Sequence, residues 1–315
     1  MKRRNHLWII LVIAVVLALC CGSSTIAALL VGPAFLGGLR GVANDTIAII
    51  DLQGVIVSGE GDGFTSGVIY ADTTVNDLEM AANNPAVAAI VLDINSPGGS
   101  VFASAAIYEA VLACPKPVIA RMGEVAASGG YYVACASDYI LAHPATLTGS
   151  IGVIWEFTNA EELMDLLGIQ TQIVKSGQHK DQGGYHRPLT EQELAMYQEI
   201  VDEAYEDFLQ VVADGRGLPR EQVRGLADGR VFSGRQAVEL NLADAEGDLD
   251  DAIQVAAQMG NIEGPPRLLH IQRQPGLLDV FLSYFSRVER PPELALLEEL
   301  MNADTARPQY LYIAP

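Results

Sequence analysis

The chain has 315 residues, 50% of them hydrophobic, with 39 Asp and Glu against 19 Lys and Arg and a formal net charge of −20. That length suits one large domain or two small ones. So acidic a chain repels phosphate, and with no basic stripe to offset it a general nucleic-acid binder is excluded; the apolar content excludes a disordered acidic chain, and four Cys are too few for a disulfide scaffold.

The charge is unevenly distributed. No acid precedes Asp45, whereas Lys2, Arg3, Arg4 and Arg40 are basic, so positions 41–315 hold 15 basic against 39 acidic residues and carry −24. Between Leu7 and Leu39 there is no charged side chain, and Trp8 to Cys21 is almost unbroken Ile, Leu, Val and Ala. About 20 such residues cross a bilayer core as a helix, so residues 7–31 are expected to be an uncleaved anchor, longer than the apolar core of a cleaved secretory signal. Three cations before the span against one after it put the N-terminal residues 1–6 in the cytoplasm and the body outside the cell membrane. The Gly- and Ala-rich stretch 32–45 reads as a tether.

In the body, strand-like runs are expected at Thr46–Leu52, Val87–Ile94, Val118–Arg121, Tyr139–Leu141 and Thr171–Val174, interleaved with helices. Asp72, Thr73 and Thr74 offer N-caps for a helix running to Ala82, and Ser100 can cap one through Val111. Apolar residues Leu194, Tyr197, Ile200, Val201, Tyr205 and Phe208 recur at helical spacing in a long helix over Thr190–Asp214. Two more helices are expected at Pro219–Leu226 and Leu249–Met259. Alternating short strands and helices argue an α/β domain over 46–260. The segment 261–315 reads as an extension that could be an assembly arm, a membrane-surface contact or a loosely packed tail. Cys114 and Cys135 could pair or remain two buried thiols.

Two glycine motifs could carry chemistry. Ile94 to Ser100, INSPGGS, follows a buried strand and opens a helix, so its backbone amides can face an anion, either a phosphate or the oxyanion of an attacked carbonyl. A plain strand-to-helix turn would read the same way. The second, Ala126-Ala127-Ser128-Gly129-Gly130-Tyr131-Tyr132, puts Ser128 at a turn beside the Gly129 amide, where it is either a nucleophile or a helix cap. A serine needs a base, and the body has only Lys116, Lys175 and Lys180 besides its arginines. A neutral, apolar-buried lysine can act as one whereas arginine cannot. Lys116 lies in Pro115-Lys116-Pro117, read as an exposed turn, and the choice between Lys175 and Lys180 stays open. His143, His179 and His186 keep a Ser/His/Asp arrangement open too.

INSPGGS, AASGGYYVAC (Ala126–Cys135), PATLTGSIGV (Pro144–Val153) and KSGQHKD (Lys175–Asp181), followed by RPLTEQE from Arg187 and DGRVFSGRQAVEL from Asp228, together resemble the signal peptide peptidase A (protease IV) family. Its members are membrane-anchored Ser/Lys endopeptidases related to the Clp proteolytic subunit and the crotonase fold. The resemblance implies an α/β fold of repeated β-β-α units over roughly Thr46 to Gly260. It implies Ser128 as nucleophile, Lys180 as general base, and Ser150 as the residue that orients the lysine. Gly99 and Gly129 would supply the oxyanion amides, with Gly98 shaping the loop. It further implies apolar peptide substrates such as remnant signal peptides, a homo-oligomer in which the dyad can form across subunits, and no cofactor or metal. A crotonase-like acyl-CoA enzyme and a non-catalytic membrane scaffold are the competing readings.

Overall fold

The computed structural model describes residues 44–61 and 67–271 together with the backbone of Gln309–Leu311. The expected anchor at residues 7–31 lies outside the described residues, among which no helix is long and apolar enough to cross a membrane.

The core is a mainly parallel sheet. In spatial order its strands are β10 (Ala245–Glu246), β7 (Tyr139–Ala142), β6 (Val118–Ala127), β4 (Val87–Ser96), β1 (Thr46–Gln53) and β11 (Arg267–Ile271), all parallel to their neighbours. β1 and β4 are apolar on both faces, as strands covered on both sides must be. Ile47 and Ile49, with Ala89, Val91 and Ile119, pack under Ala252 and Ala256 of the helix Leu249–Met259. Ala48, Ile50 and Leu52 point the other way, into the larger core with Leu92, Ile94, Ile107 and Phe208. A second sheet grows from the ends of the first: β2 (Val55–Val57) pairs in parallel with β3 (Val68–Tyr70) and with β5 (Gly98–Ser100), and β12 (Gln309–Leu311) pairs antiparallel with β5.

The long β6 serves two neighbours. Its first half pairs with β7, and Val125, Ala126 and Ala127 pair with Leu147, Thr148 and Gly149 of β8 (Leu147–Gly149), which is itself antiparallel to β9 (Val231–Ser233). Two buried threonines lock this bend: Thr146 Oγ1 donates to Gly123 O at 2.6 Å and Thr148 Oγ1 to Ala126 O at 2.6 Å.

The helices begin and end for local reasons. Ser100 caps α2 (Val101–Leu112), accepting from Ala103 N, after α1 (Ala71–Asn83). α3 (Gly129–Ala134) follows β6 directly, α4 (Glu161–Leu167) is a short exposed helix, and α5 (Glu191–Arg216) starts on a capping box of Thr190 and Glu193. After α6 (Arg220–Leu226) and α7 (Gly234–Glu239), α8 (Leu249–Met259) has its own box, in which Asp248 accepts from Asp250 N and Asp251 N.

Three sequence expectations change. Thr171–Val174 is not a strand; it finds no neighbouring strand and lies exposed, Val174 at 97%, and β-favouring residues without a partner do not make a strand. α1 begins earlier than its candidate caps, because β3 runs straight into it: Tyr70 is the N-cap, Thr74 Oγ1 donates back to Tyr70 O, and Thr73 Oγ1 instead accepts from Gly61 N. Lys116 is not a free surface cation, since its Nζ donates to Ala81 O at 2.9 Å and Asn84 O at 2.6 Å and so closes the C-terminal end of α1. Cys114 and Cys135 are free thiols, and burial pushes the Cys135 thiol up to about 12.

The fully buried Tyr131 on α3 donates its hydroxyl to Leu242 O at 2.8 Å, tying the short helix to the turn after α7. Tyr131→Phe removes that donor and strands a carbonyl, so urea unfolding of the body should show a loss of about 1–3 kcal/mol.

Candidate functional site

The site is assembled where parallel strands end. β6 stops at Ala127, and the next residue, Ser128, has φ 52° and ψ −117°, a region that side chains other than Gly, Asn and Asp avoid. Across the β6–β8 pair Ala127 faces Gly149, and the residue after Gly149, Ser150, has φ 49°. Two serines thus leave adjacent strand ends with positive φ. Such geometry costs about 1–3 kcal/mol per residue and persists only where the surroundings enforce it. Here Ser128 N donates to Gly149 O at 2.8 Å, Ser128 O accepts from Tyr132 N at 2.8 Å, and Ser150 N donates to Arg230 O at 2.8 Å. Ser128 is 1% exposed and Ser150 7%. Although Ser128 stands at the N-cap position of α3, its hydroxyl makes no capping bond.

The first glycine motif closes over the second. A Cβ on Gly129 would come within 3.2 Å of both Gly98 Cα and Gly99 N, and one on Gly130 within 2.8 Å of Ser96 O. On Gly99 it would collide with the Ile56 backbone at 2.0 Å, in a conformation (φ 155°) that already favours glycine. The amide of Gly98 is engaged, donating to Ser96 Oγ at 3.1 Å. Ser104, fully buried on α2, lies beneath Gly129: the same Cβ would sit 2.5 Å from its Oγ, and among the described residues that hydroxyl has no hydrogen-bond partner. No sequence signal pointed to Ser104, whose place beneath Gly129 exists only once α2 and α3 meet.

An open groove of about 660 Å³ starts at Ser150 and Ile151 and runs along Glu156, Gln198, Asp202 and Tyr205. The two candidate lysines lie on the segment that follows α4 in the chain. Lys175 is tied down: Nζ donates to Asp181 Oδ1 at 2.7 Å and to Gln178 O at 3.0 Å. Arg187 donates to the same Asp181 and, through two nitrogens at 2.8 and 2.7 Å, to Glu193, which is 2% exposed and also caps α5. The hydrogen bonds from Arg187, and then the one from Thr190 N, hold the Glu193 carboxyl down at about 2. Asp181 is held still further below the usual carboxylate range by Arg187 and then Lys175.

Lys180, immediately before Asp181, is exposed, and among the described residues its ammonium makes no hydrogen bond or ion pair. It is not joined to Ser128 or Ser150 within one chain. Ser128, Ser150, Gly98, Gly99 and Gly129 are therefore brought together, and Lys180 is not.

No histidine reaches Ser128 among the described residues. His179 Nδ1 faces Glu193 at 3.9 Å, His186 Nε2 faces Asp181 at 3.9 Å, and His143 Nδ1 accepts from Ala145 N. The ion network around Asp181 and Glu193 is what the sequence reading missed; its trace is the row Asp181, Arg187, Glu193 at six-residue intervals.

Comparisons with known proteins bear on the family and the fold. The model for peptidase family S49 matches residues 110–263, and that for Clp protease matches residues 66–146. The chain is 36% identical to Protease 4 of Salmonella typhi over 261 residues, 82% of this chain and 41% of that protein; it thus spans about two fifths of that relative's length. It is 37% identical to a Synechocystis protein named as a candidate protease, slr0021, covering 69% of this chain and 75% of the relative. With an Enterococcus faecium protein named as a candidate signal peptide peptidase, SppA, identity is 32% over 87% of this chain and 83% of the relative. The parallel sheet with helices on both faces is the Clp protease-like fold that the sequence motifs imply.

Because both carboxylates of the network have depressed values, its hold on the loop is complete above the usual carboxylate range near pH 4 and is lost as pH falls through about 2. Hydrogen exchange of residues 175–188 should stay slow from neutrality to about pH 4. Arg187→Met should speed it at neutral pH at least tenfold, leaving the strands β4 and β6 unchanged.

Proposed function

Because the chain belongs to peptidase family S49, we propose that it is a serine endopeptidase acting through Ser128 and Lys180. The observation that carries the reading is the pair of glycine backbones meeting at the strained, buried Ser128: Gly99 N lies 3.2 Å from where a Cβ of Gly129 would stand. A nucleophile at the start of a helix, beside the first helical amide and facing a second amide from another loop, has the donors that an acyl-transfer oxyanion needs. Gly98 N is engaged with Ser96, so this reading assigns the donors to the amides of Gly99 and Gly129, with Gly98 shaping the loop.

In this mechanism Ser128 Oγ attacks the peptide carbonyl while neutral Lys180 Nζ takes its proton. The carbonyl oxygen, now an anion, is received by the two amides. Lys180 returns the proton to the leaving amine, the acyl group stays on Ser128 as an ester, and a water activated by Lys180 releases it. Ser150, held beside Ser128 through Gly149, orients the lysine. Lys175 is unsuited to the role, since Asp181 and Gln178 O already claim its protons.

Lysine becomes an effective base when apolar surroundings exclude water. Assembly of copies supplies such surroundings, and the exposed Leu166, Leu167 and Val174 on the arm that carries Lys180 suit a homo-oligomer. The substrates are apolar peptides, in keeping with an anchor at residues 7–31 that holds the body at the outer membrane face, where remnant signal peptides emerge.

Ser128→Ala should reduce hydrolysis of an unstructured apolar peptide to background with unchanged folding, and Lys180→Met should lower kcat by roughly 10³ or more. Lys175→Ala should retain most of the activity. Wild-type turnover in Ser128→Ala would sink the nucleophile assignment, and the opposite ranking of the two lysine variants would move the base to Lys175.

A further inference from the structure

The buried hydroxyls of Thr146, Thr148 and Ser96 beside the candidate site are committed to backbone. The threonines donate to Gly123 O and Ala126 O, and Ser96 Oγ accepts from Gly98 N. Ser104 differs: it is fully buried, and among the described residues its Oγ has no hydrogen-bond partner. A serine inside a helix can return its proton to the carbonyl one turn back, and Ser104 does not take that partner. Its place is specific. The position of a Gly129 Cβ lies 2.5 Å from Ser104 Oγ and 3.2 Å from both Gly98 Cα and Gly99 N. The uncommitted hydroxyl therefore borders the same small space as the two glycine backbones assigned to the oxyanion.

We propose that Ser104 is a positioning residue for acyl transfer, its free O–H turning toward the negative charge that develops at the Gly99 and Gly129 amides and reinforcing their hold on it. The inference rests on the peptidase reading, since a charge must form there. A hydroxyl proton rotates to suit its surroundings, and in the resting protein no acceptor fixes this one. Once Ser128 Oγ adds to a carbonyl, the new anion orients it. In an interior of low dielectric such a dipole acts more strongly than it would in water. No proton leaves Ser104; the hydroxyl only reorients, and the bonds that form and break are those of the Ser128 reaction.

A buried hydroxyl without a partner destabilises the fold, which gives the proposal its signature. If Ser104 only packed against Gly129, removing its oxygen would alter stability and leave the chemistry alone. A group that meets its partner in the transition state does the reverse: its removal spares the fold and weakens the reaction.

The test compares the wild-type chain with Ser104→Ala and with a control, Ser137→Ala, whose Oγ is also buried and unpartnered among the described residues but lies past the far end of α3. A direct oxyanion donor is worth about 10²–10³ in rate. For this more distant dipole, kcat of Ser104→Ala should fall about five- to thirtyfold with KM within about twofold, as for a transition-state interaction. Its urea midpoint should be unchanged or higher. The specific readout is a peptidyl trifluoromethyl ketone, isotope-labelled at its carbonyl carbon and followed by NMR. It adds to Ser128 Oγ as a hemiketal whose oxygen takes the oxyanion position. That oxygen should ionise about one pH unit higher in Ser104→Ala than in the wild type or Ser137→Ala, the equivalent of a tenfold loss. Equal ionisation in the three proteins overturns the proposal, as does a lowered urea midpoint with unshifted ionisation, which marks a packing role. If Ser104→Ala does not fold, Ser104→Cys, which keeps the side-chain shape with a weak donor, carries the same expectations. A wild-type chain that forms no hemiketal and hydrolyses no peptide overturns the peptidase reading and this inference with it, whereas a wild-type hemiketal unaffected by Ser104→Ala overturns this inference alone.

Discussion

The contact on which the site depends is backbone against backbone. Gly129 and Gly130 at the start of α3 approach Gly99 and Ser96 so closely that a single methyl group at either glycine would meet main-chain atoms at 3.2 or 2.8 Å. Close packing transmits such a misfit rather than absorbing it. β4 and β6 are adjacent parallel strands, and both continue into glycine turns at the same end of the sheet, with a register irregularity between Ile94 and Ser96 that brings Ser96 opposite Ala126. Two motifs about thirty residues apart in sequence thus become one structure because their strands are neighbours, and each removes side chains where the other must fit.

That constraint explains where strain is tolerated. Four non-glycine residues have positive φ among the described residues: Ser128, Ser150, Asn241 and Asn261. The asparagines belong to a residue type that accepts this region readily; the serines do not. Both serines sit one step past paired strand ends, Ala127 and Gly149, and Gly149 O receives the Ser128 amide. Thr146 and Thr148 donate into the β6 backbone below them. A rigid, well-bonded floor sustains the strain at its rim, where both serines are buried.

Much of this was legible in the sequence because it is local. The apolar runs of β1 and β4, the Ser100 cap, the start of α5 at Thr190 and the span of α8 depend on neighbours within a few residues, and they formed as the pattern implies. Short strands such as β2, β5 and β8, three residues each, exist only because a partner passes alongside. Thr171–Val174 is the converse: strand-forming residues that no partner passes. Lys116 shows the same limit for a side chain, since its two carbonyl partners on α1 lie more than 30 residues away. The glycine motifs could be read as backbone approaches, but that each approaches the other is a property of strand order.

The divided electrostatics follow from the same architecture. The core around Ser128 is apolar, while the arm from Trp155 to Thr190 is held by a ring cluster of Trp155, Phe157 and Tyr197 and by a chain of charged hydrogen bonds through Lys175, Asp181, Arg187 and Glu193 that ends at the capping box of α5. Charge-assisted bonds fix a loop that has little apolar surface buried against its own chain. The cations within that network are spent on carboxylates, and Lys180 is the lysine of the segment left outside it. The arm keeps its shape through these bonds while its apolar residues Leu166, Leu167 and Val174 stay exposed. Covering that arm would dehydrate Lys180 and its surroundings together, linking the formation of a basic amine to the burial of those apolar side chains.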